Sequence, residues 1–330
     1  MLENDRVDKE RMMAEHAYDL STIGEGQIRL TVRRGERLMN ARSVLMNPAC
    51  SEANVAGVLA QLQRRTLWTS SLPEGDLGEY VLSEYRSVGV DLSTMVRKPA
   101  SRIALYFMEP GEPPMPANVI YDREYTPFRS TGIEDYDWDR MLDTRLLFLT
   151  GITAALTDTT AQVVTYAAEQ AEKRGIDIAL DVNFRSKLWS GDQARKVLEP
   201  IAHKARILFC SIKDAKSVFG IEGTGEEVCE QLYQRFGNEY IVSTNHLDGP
   251  YLRTSKGIKK YVTTTVPVVD RPGAGDSFVA ATLHGFLSND VECGVRWGQR
   301  AAEYALTHMG DLTRIRAQEL DIPLGGDINR

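Results

Sequence analysis

Residues 270–278, DRPGAGDSF, combine two glycines and an aspartate in a spacing that could support phosphate chemistry. The glycines let the backbone N–H groups of Gly273, Ala274 and Gly275 point at one spot without obstruction by a Cβ atom. A helix that begins there adds positive potential, so the spot becomes a site for an anion such as phosphate. The carboxylate of Asp276 has two readings: a base for a hydroxyl that attacks phosphorus, or a residue that only complements the helix dipole.

The flanking sequence predicts the elements that position this turn. Tyr261 to Val269 is rich in Val and Thr, which favours a strand, and Asp276 to Leu287 is predicted as a helix. The glycines would therefore lie at a strand-to-helix turn.

From Arg145 onward, continuous apolar runs alternate with amphipathic segments. This alternation predicts a doubly wound, mostly parallel α/β sheet flanked by helices, which binds ligands at the carboxyl ends of its strands. The predicted strands are Arg145–Leu149, Ile176–Val182, Ile207–Ser211 and Tyr240–Thr244. The predicted helices are Asp158–Arg174, Gln193–His203 and Glu226–Phe236, preceded by one over Ser51–Leu62 with Ser51 as its N-cap.

Two sets of residues with period-two alternation interrupt this pattern. Ile28, Leu30 and Val32 alternate with polar residues such as Arg29, which predicts a half-buried strand, and Arg37 to Met46 is its candidate partner. A second set covers about 101–125. We expect one small inserted sheet, with strands within about 27–46 and 101–125, in a domain of residues 18–330 that follows an N-terminal extension of residues 1–17.

Composition excludes several classes of protein. The chain of 330 residues carries 39 Lys and Arg against 46 Asp and Glu, a net charge of −7, which disfavours nucleic acid or an anionic membrane as partner. No apolar run approaches the ~20 residues of a membrane span. The four cysteines form no metal-binding spacing, which fits reduced thiols and a cytoplasmic location. There is no GxxxxGK[ST] phosphate loop, and Gly220–Gly225 is predicted as an ordinary loop.

Two further groups have both a functional and a structural reading. Asp181, Asn183 and Arg185 alternate at the end of a predicted strand, either as a polar exit turn or as a cluster that contacts phosphate or an acidic substrate. Tyr106, Tyr121 and Arg123 lie on the inserted strands. They are either exposed sheet residues or part of a lid that packs on a sugar and pairs Arg123 with a carboxylate.

Residues 270–278 resemble the D-x-x-G-A-G-D signature of the ribokinase-like (PfkB) carbohydrate kinases. The resemblance runs from about Ile23 to Asp311, and its motif order is most similar to that of the 2-keto-3-deoxygluconate kinases. The other motifs that carry it are SEANVA at 51–56, LPEGDLG at 72–78, VIYDR at 119–123, DVNFRSKLW at 181–189 and THMGD at 307–311.

The resemblance implies an ATP- and Mg²⁺-dependent kinase acting on a sugar acid. It implies that Asp276 is the catalytic base and that the N–H groups of Gly273, Ala274 and Gly275 bind the transferred phosphoryl group. It also implies contacts with the substrate from Cys50, Asn54, Tyr106, Tyr121, Arg123, Arg185 and Asp276. Contacts with the nucleotide are implied for Asn183, Arg185, Ser211, Thr244, Gly273, Gly275 and His308, and a contact with the metal for Asp214.

Three positions depart from the family pattern. Ala49-Cys50 replaces a Gly-Gly pair, Ser211 to Asp214 replaces N-x-x-E, and the strand at Ile241 lacks the usual lysine and glycine. Two alternatives therefore stay open: a kinase for another sugar, such as fructose, ribose or a deoxy-keto inositol derivative, and a sugar-binding regulatory protein with weak turnover. Because the face of the inserted sheet needs cover, we also expect a homodimer formed through it.

Overall fold

The computed structural model describes residues 16–111, 114–245 and 248–321. Most of the predicted N-terminal extension, residues 1–15, lies outside the described residues. The strands are β1 Tyr18–Ile23, β2 Gln27–Thr31, β3 Leu45–Ala49, β4 Thr66–Thr69, β5 Ser71–Pro73, β6 Val96–Lys98, β7 Ala104–Glu109, β8 Asn118–Asp122, β9 Thr144–Thr150, β10 Asp177–Asp181, β11 Ile207–Phe209, β12 Tyr240–Asn245, β13 Gly249–Thr254 and β14 Gly257–Lys260. The α-helices are α1 Ser51–Gln61, α2 Asp76–Arg86, α3 Trp138–Met141, α4 Gly151–Ala154, α5 Asp158–Arg174, α6 Gly191–Ala202, α7 Ile212–Asp214, α8 Gly225–Phe236, α9 Ala274–Leu287 and α10 Val291–Leu306.

The main sheet has eight strands in the order β14-β13-β12-β11-β10-β9-β1-β4. Its pairs from β12 to β4 are parallel, and the hairpin β13–β14 adds two antiparallel pairs at one edge. Both faces are covered, because successive residues of β9 enter opposite cores. Leu147 and Leu149 pack in one hydrophobic cluster, and Leu146 and Phe148 in the other. The predicted doubly wound sheet is confirmed.

Helix α5 illustrates why the helices form where the sequence predicts them. Thr157 caps its N-terminus by accepting a hydrogen bond from the Thr160 N–H, and Gly175 ends it with φ 70°. Its buried apolar residues recur along one side and belong to the same hydrophobic cluster as Leu147 and Leu149. The observed bounds of Asp158–Arg174 equal the predicted ones.

The first long helix differs in one detail from its prediction. Helix α1 begins at Ser51, and Cys50 is its N-cap residue, with its Sγ accepting a hydrogen bond from the Ala53 N–H. The Ser51 hydroxyl is thereby left available for another partner.

The inserted strands form a separate four-stranded sheet in the order β3-β2-β7-β8, which we call the lid sheet. Strands β2 and β7 are parallel, and the outer pairs are antiparallel. The strand predicted over Arg37–Met46 begins instead at Leu45, after a 3-10 turn over Leu38–Asn40. Arg29 was expected on a solvated face of β2 but is 0% exposed.

The prediction of a strand over Tyr261–Val269 is wrong. These residues form no sheet ladder among the described residues, and the N–H groups of Val269 and Asp270 bond instead to the Leu306 carbonyl at the end of α10. The glycine turn therefore follows an irregular segment packed against a helix. None of the helices over the described ranges is long and apolar enough to cross a membrane.

Candidate active site

A cavity of about 980 Å³ lies at the carboxyl ends of the central strands of the main sheet and is bordered by the lid sheet. Every predicted site residue lines it except Arg123 and His308. The residues brought together are Cys50, Asn54, Tyr106, Tyr121, Asn183, Arg185, Ser211, Asp214, Thr244, Gly273, Ala274, Gly275 and Asp276. This location agrees with the general rule for ligand sites in open α/β sheets.

The glycine turn requires glycine at its first position. Gly273 has φ 84°, and a Cβ there would lie 2.0 Å from the Asp311 carbonyl oxygen. A Cβ on Gly275 would meet nothing within 4 Å, so this residue faces the open cavity. Helix α9 begins at Ala274. Its first N–H groups have no partner within the helix, and the turn can therefore bind an anion.

Asp276 lies in the first turn of α9, and two neutral donors hold its carboxylate. Ser51 Oγ donates to Oδ1 at 2.5 Å, and Asn54 Nδ2 donates to Oδ2 at 2.7 Å. Burial raises the pKa of Asp276 above its usual range, although these hydrogen bonds and the charge of Arg185 oppose the shift. A carboxylate that is oriented but not neutralised by an adjacent cation can act as a proton acceptor.

A second layer orients Asn54. The Tyr85 hydroxyl donates to Asn54 Oδ1 at 2.8 Å, so the amide nitrogen of Asn54 is the group turned toward Asp276. Tyr85 is 0% exposed, and its ring packs edge-on against Trp68, with the centroids 4.9 Å apart. The direction of the amide is thus fixed by a buried hydroxyl.

Two more carboxyl groups, those of Asp181 and Asp214, line the cavity where β10 and β11 end. Asn183, in the left-handed region at φ 39°, donates from Nδ2 to Asp181 Oδ2 and to Ser51 Oγ, each at 3.2 Å. Burial and the nearby charge of Asp214 raise the pKa of Asp181 to about 7. The pKa of Asp214 is also raised by burial. Two buried carboxyl groups therefore lie close together at this end of the cavity, within reach of the positive charge of Arg185.

A buried ion-pair network ties the lid sheet to the glycine turn. Arg29 on β2 donates from Nη2 to Asp270 Oδ2 at 2.5 Å, and its Nε lies 3.0 Å from Asp311 Oδ1 without the alignment of a hydrogen bond. The Tyr106 hydroxyl donates to Asp311 Oδ2 at 2.7 Å. Burial raises the pKa of Asp311 to about 6, although the charge of Arg29 opposes the shift. Asp270, just before the turn, is thus anchored to the lid.

Two predicted residues lie elsewhere. Arg123 is 4% exposed, and its Nε and Nη2 contact Glu25 Oε2 at 2.8 and 2.6 Å. Its guanidinium is therefore engaged by a buried carboxylate rather than turned into the cavity. His308 is exposed, and its Nδ1 lies 2.6 Å from the carbonyl of Tyr304, one helical turn earlier.

The structure adds site residues that the sequence argument missed. Ser51 was assigned only as a cap, Asp311 was quoted in a motif without a role, and Gln27, Arg29 and Tyr85 were not considered as site residues. For Arg29 the sequence does hold a signal of a buried role, because it is a charged residue between apolar residues of a strand. The donor role of Tyr85 has no local signal, because it depends on the packing of α2 against α1.

Comparison with known proteins places these features in context. The family model described as pfkB family carbohydrate kinase matches residues 18–317. A 2-dehydro-3-deoxygalactonokinase of Haloferax volcanii is 32% identical over 94% of this chain and 98% of its own length. A 2-dehydro-3-deoxygluconokinase of Bacillus subtilis is 26% identical over 91% of this chain and 93% of its own. The crystal structure of a Thermotoga maritima 2-dehydro-3-deoxygluconokinase superposes with a TM-score of 0.86 at 26% identity and covers 93% of this chain and 98% of that one.

Proposed function

Because the chain belongs to the pfkB family of carbohydrate kinases, we propose that it transfers the γ-phosphoryl group of ATP to a primary hydroxyl of a 2-keto-3-deoxy sugar acid. The observation that carries the proposal is the cavity carboxylate of Asp276, held by two neutral donors at the start of α9. The names of the relatives support the substrate class, since they act on the gluconate and galactonate forms of such an acid.

In this mechanism Asp276 accepts the proton of the attacking hydroxyl. Its raised pKa makes it a better acceptor than an ordinary aspartate, and Ser51 and Asn54 hold its oxygens in place. The N–H groups of Gly273, Ala274 and Gly275 stabilise the charge on the transferred group. Phosphoryl transfer depends mainly on such positioning and charge stabilisation.

The nucleotide would lie along the main-sheet side of the cavity. Asn183, Ser211 and Thr244 follow or end three neighbouring parallel strands there, and the exposed Arg185 adds positive charge. His308 is not included, because it does not line the cavity. Use of ATP supports a cytoplasmic location, which the four free cysteines also favour.

The residues present fit a bound Mg²⁺. No group of three or more His, Cys, Asp or Glu in the described ranges could hold a metal alone. Mg²⁺ usually binds through one or two carboxylates together with substrate phosphates, and Asp181 and Asp214 line the cavity and supply such oxygens. When bound there, the cation would neutralise negative charge on the phosphates.

The sugar acid would lie between the catalytic turn and the lid sheet. Cys50, Asn54, Tyr106 and Tyr121 line that side, and Tyr106 and Tyr121 pack with ring centroids 6.0 Å apart. Of the two arginines assigned to the substrate, only Arg185 faces the cavity. We therefore assign the substrate carboxylate to Arg185 rather than to Arg123.

A coupled ADP-release assay tests the reaction and its substrate class. The panel contains 2-keto-3-deoxygluconate, 2-keto-3-deoxygalactonate, fructose and ribose, with ATP and Mg²⁺. We expect strong turnover on one or both keto-deoxy acids. Turnover on a neutral sugar alone would keep the kinase and reject the acid substrate, whereas sugar binding without any turnover would favour a regulatory protein.

We also propose a homodimer in which the outer faces of two lid sheets pack together. On that face Met46, Leu30, Phe107 and Ile120 form one row across all four strands. Met46 is 41% exposed and Ile120 is 49% exposed, an apolar surface that a second copy would cover. Sedimentation should give a dimer that Ile120→Lys dissociates. A monomeric mass for the parent protein would reject this assembly.

A further inference from the structure

Gln27 has a buried side-chain amide at the border of the cavity. It has no role in the proposed reaction or in the ion-pair network of Arg29. It is the first residue of β2, is 6% exposed and lines the cavity. Residues two apart on a strand share a face, so Gln27 lies on the same side of the lid sheet as Arg29. Tyr106, the register partner of Arg29, also lines the cavity from that side.

The immediate neighbours of Gln27 are small residues. Its register partners are Ala49 on β3 and Ala104 on β7, and both are buried. Two alanines therefore flank Gln27 on its two neighbouring strands. Ala49 precedes Cys50 and Ser51, so Gln27 lies beside the start of α1, which also carries Asn54.

The side-chain oxygen of Gln27 is buried and has no hydrogen-bond partner within the described part of the chain. Burying a carbonyl oxygen without a donor is unfavourable, and such an oxygen in a ligand site is commonly satisfied by the ligand. The oxygen needs a donor, which a hydroxyl supplies, whereas an ionised carboxylate could bind only the Nε2 end of the amide.

We propose that Gln27 is a specificity-determining residue that accepts a hydrogen bond from a secondary hydroxyl of the sugar acid. This inference rests on the proposed function, because it takes a polyhydroxylated substrate at the lid side of the cavity. A site with a buried acceptor rejects ligands that leave it unpaired, so the amide favours substrates that place a hydroxyl beside Ala49 and Ala104.

The matched-shape variant Gln27→Met removes the acceptor and keeps the volume. We expect kcat/KM for the accepted sugar acid to fall at least about fivefold, with the KM for ATP unchanged. The melting temperature should stay the same or rise, because the variant also removes an unsatisfied buried oxygen. A purely structural role predicts the opposite change in melting temperature. The exposed Gln234→Met on α8 is the control and should change none of these values.

The second variant, Gln27→Glu, separates a hydroxyl partner from a carboxylate partner. It keeps a side-chain acceptor, so it should retain more kcat/KM than Gln27→Met if the partner is a hydroxyl. A greater loss in Gln27→Glu would reveal repulsion of the substrate carboxylate and overturn the inference. So would a loss below about fivefold in Gln27→Met.

Failure of this inference is distinguishable from failure of the proposed function. The parent protein's turnover on the sugar panel decides the substrate class before any variant is made. If the parent acts only on a neutral sugar, the same two variants are assayed on that sugar. The comparison then still decides whether Gln27 contacts a hydroxyl.

Discussion

Two aspartates stand at opposite ends of the same glycine turn and have opposite surroundings. Asp270, at the start, is 5% exposed, pairs with the guanidinium of Arg29 and accepts a hydrogen bond from the Gly310 N–H at 3.0 Å. Among the described residues, Asp276, six residues later, has hydrogen bonds from two neutral donors, Ser51 and Asn54, in the cavity wall. The first carboxylate joins two parts of the fold, and the second lines the cavity.

The residues that contact each aspartate indicate whether its carboxylate has a structural or a chemical role. The guanidinium of Arg29 pairs with Asp270 in a buried contact, which ties the start of the turn to the lid sheet. The neutral donors of Asp276 orient its carboxylate, and burial raises its pKa. We call Asp270 the anchored end of the turn and Asp276, the proposed proton acceptor, its basic end.

The largest effect on stability is expected at the anchored end. Arg29→Met leaves Asp270 and Asp311 buried without their cation and should lower the free energy of unfolding by about 3–5 kcal/mol. Urea denaturation measures this loss. The exposed pair Arg195–Asp192 offers the control, since Arg195→Met should cost no more than about 1 kcal/mol. Equal losses in the two variants would show that the buried network is not an anchor.

The donors at the basic end should affect turnover rather than folding. Ser51→Ala removes the hydrogen bond to Asp276 Oδ1, and we expect kcat to fall about tenfold to a hundredfold, as for a hydrogen bond to a charged group. Steady-state kinetics at saturating ATP and sugar measure the change. If kcat stays at the parent value, orientation of the base does not depend on Ser51.

The neighbouring carboxyl groups of Asp181 and Asp214 give a pH-dependent prediction. The pKa of Asp181 is raised to about 7 in the folded protein from an ordinary value of 3.8. Between these values the folded state binds a proton that the unfolded state does not, so the contribution of this group to stability rises as pH falls. Asp181→Asn should be more stable than the parent at about pH 8, and the difference should shrink toward about pH 5. A difference that is constant with pH would contradict the raised pKa.

The smallest effect is expected one layer behind the base. Tyr85→Phe removes the donor that fixes the Asn54 amide but keeps the ring packed against Trp68. We expect kcat to fall about fivefold, the equivalent of one neutral hydrogen bond of about 1 kcal/mol. If kcat fell as much in Tyr85→Phe as in Ser51→Ala, Tyr85 would be as important for turnover as the residues that bond Asp276 directly.

The position of the glycine turn at the start of a helix was predictable from the sequence, whereas the partners of Asp270 were not. Gly273 to Asp276 is a local signal, because four neighbouring residues define the turn and the start of α9. Arg29 was expected to be solvated because its partners are distant in the chain; Asp270 is 241 residues away. Arg123 was expected to bind the carboxylate of the substrate. Its guanidinium does bind a carboxylate, but that carboxylate belongs to Glu25, a partner that the sequence does not reveal.

The fold shows the same limit. The central strands and α5 follow from apolar periodicity and caps, which are properties of neighbouring residues. The segment Tyr261–Val269 has strand composition, but its last residue, Val269, donates its N–H to the Leu306 carbonyl at the end of α10 rather than to a strand. Whether a segment rich in Val and Thr joins a sheet depends on which edge is available, and that is a tertiary property.

The turnover of Asp276→Asn, measured by ADP release on the sugar that the parent accepts, tests the central claim most directly. The account expects kcat to fall by about a hundredfold to ten-thousandfold, because the base is lost while the anion site remains. ATP binding and the melting temperature should stay close to those of the parent, because the anchor at Asp270 is untouched. A fully active Asp276→Asn would contradict the account and remove Asp276 as the base.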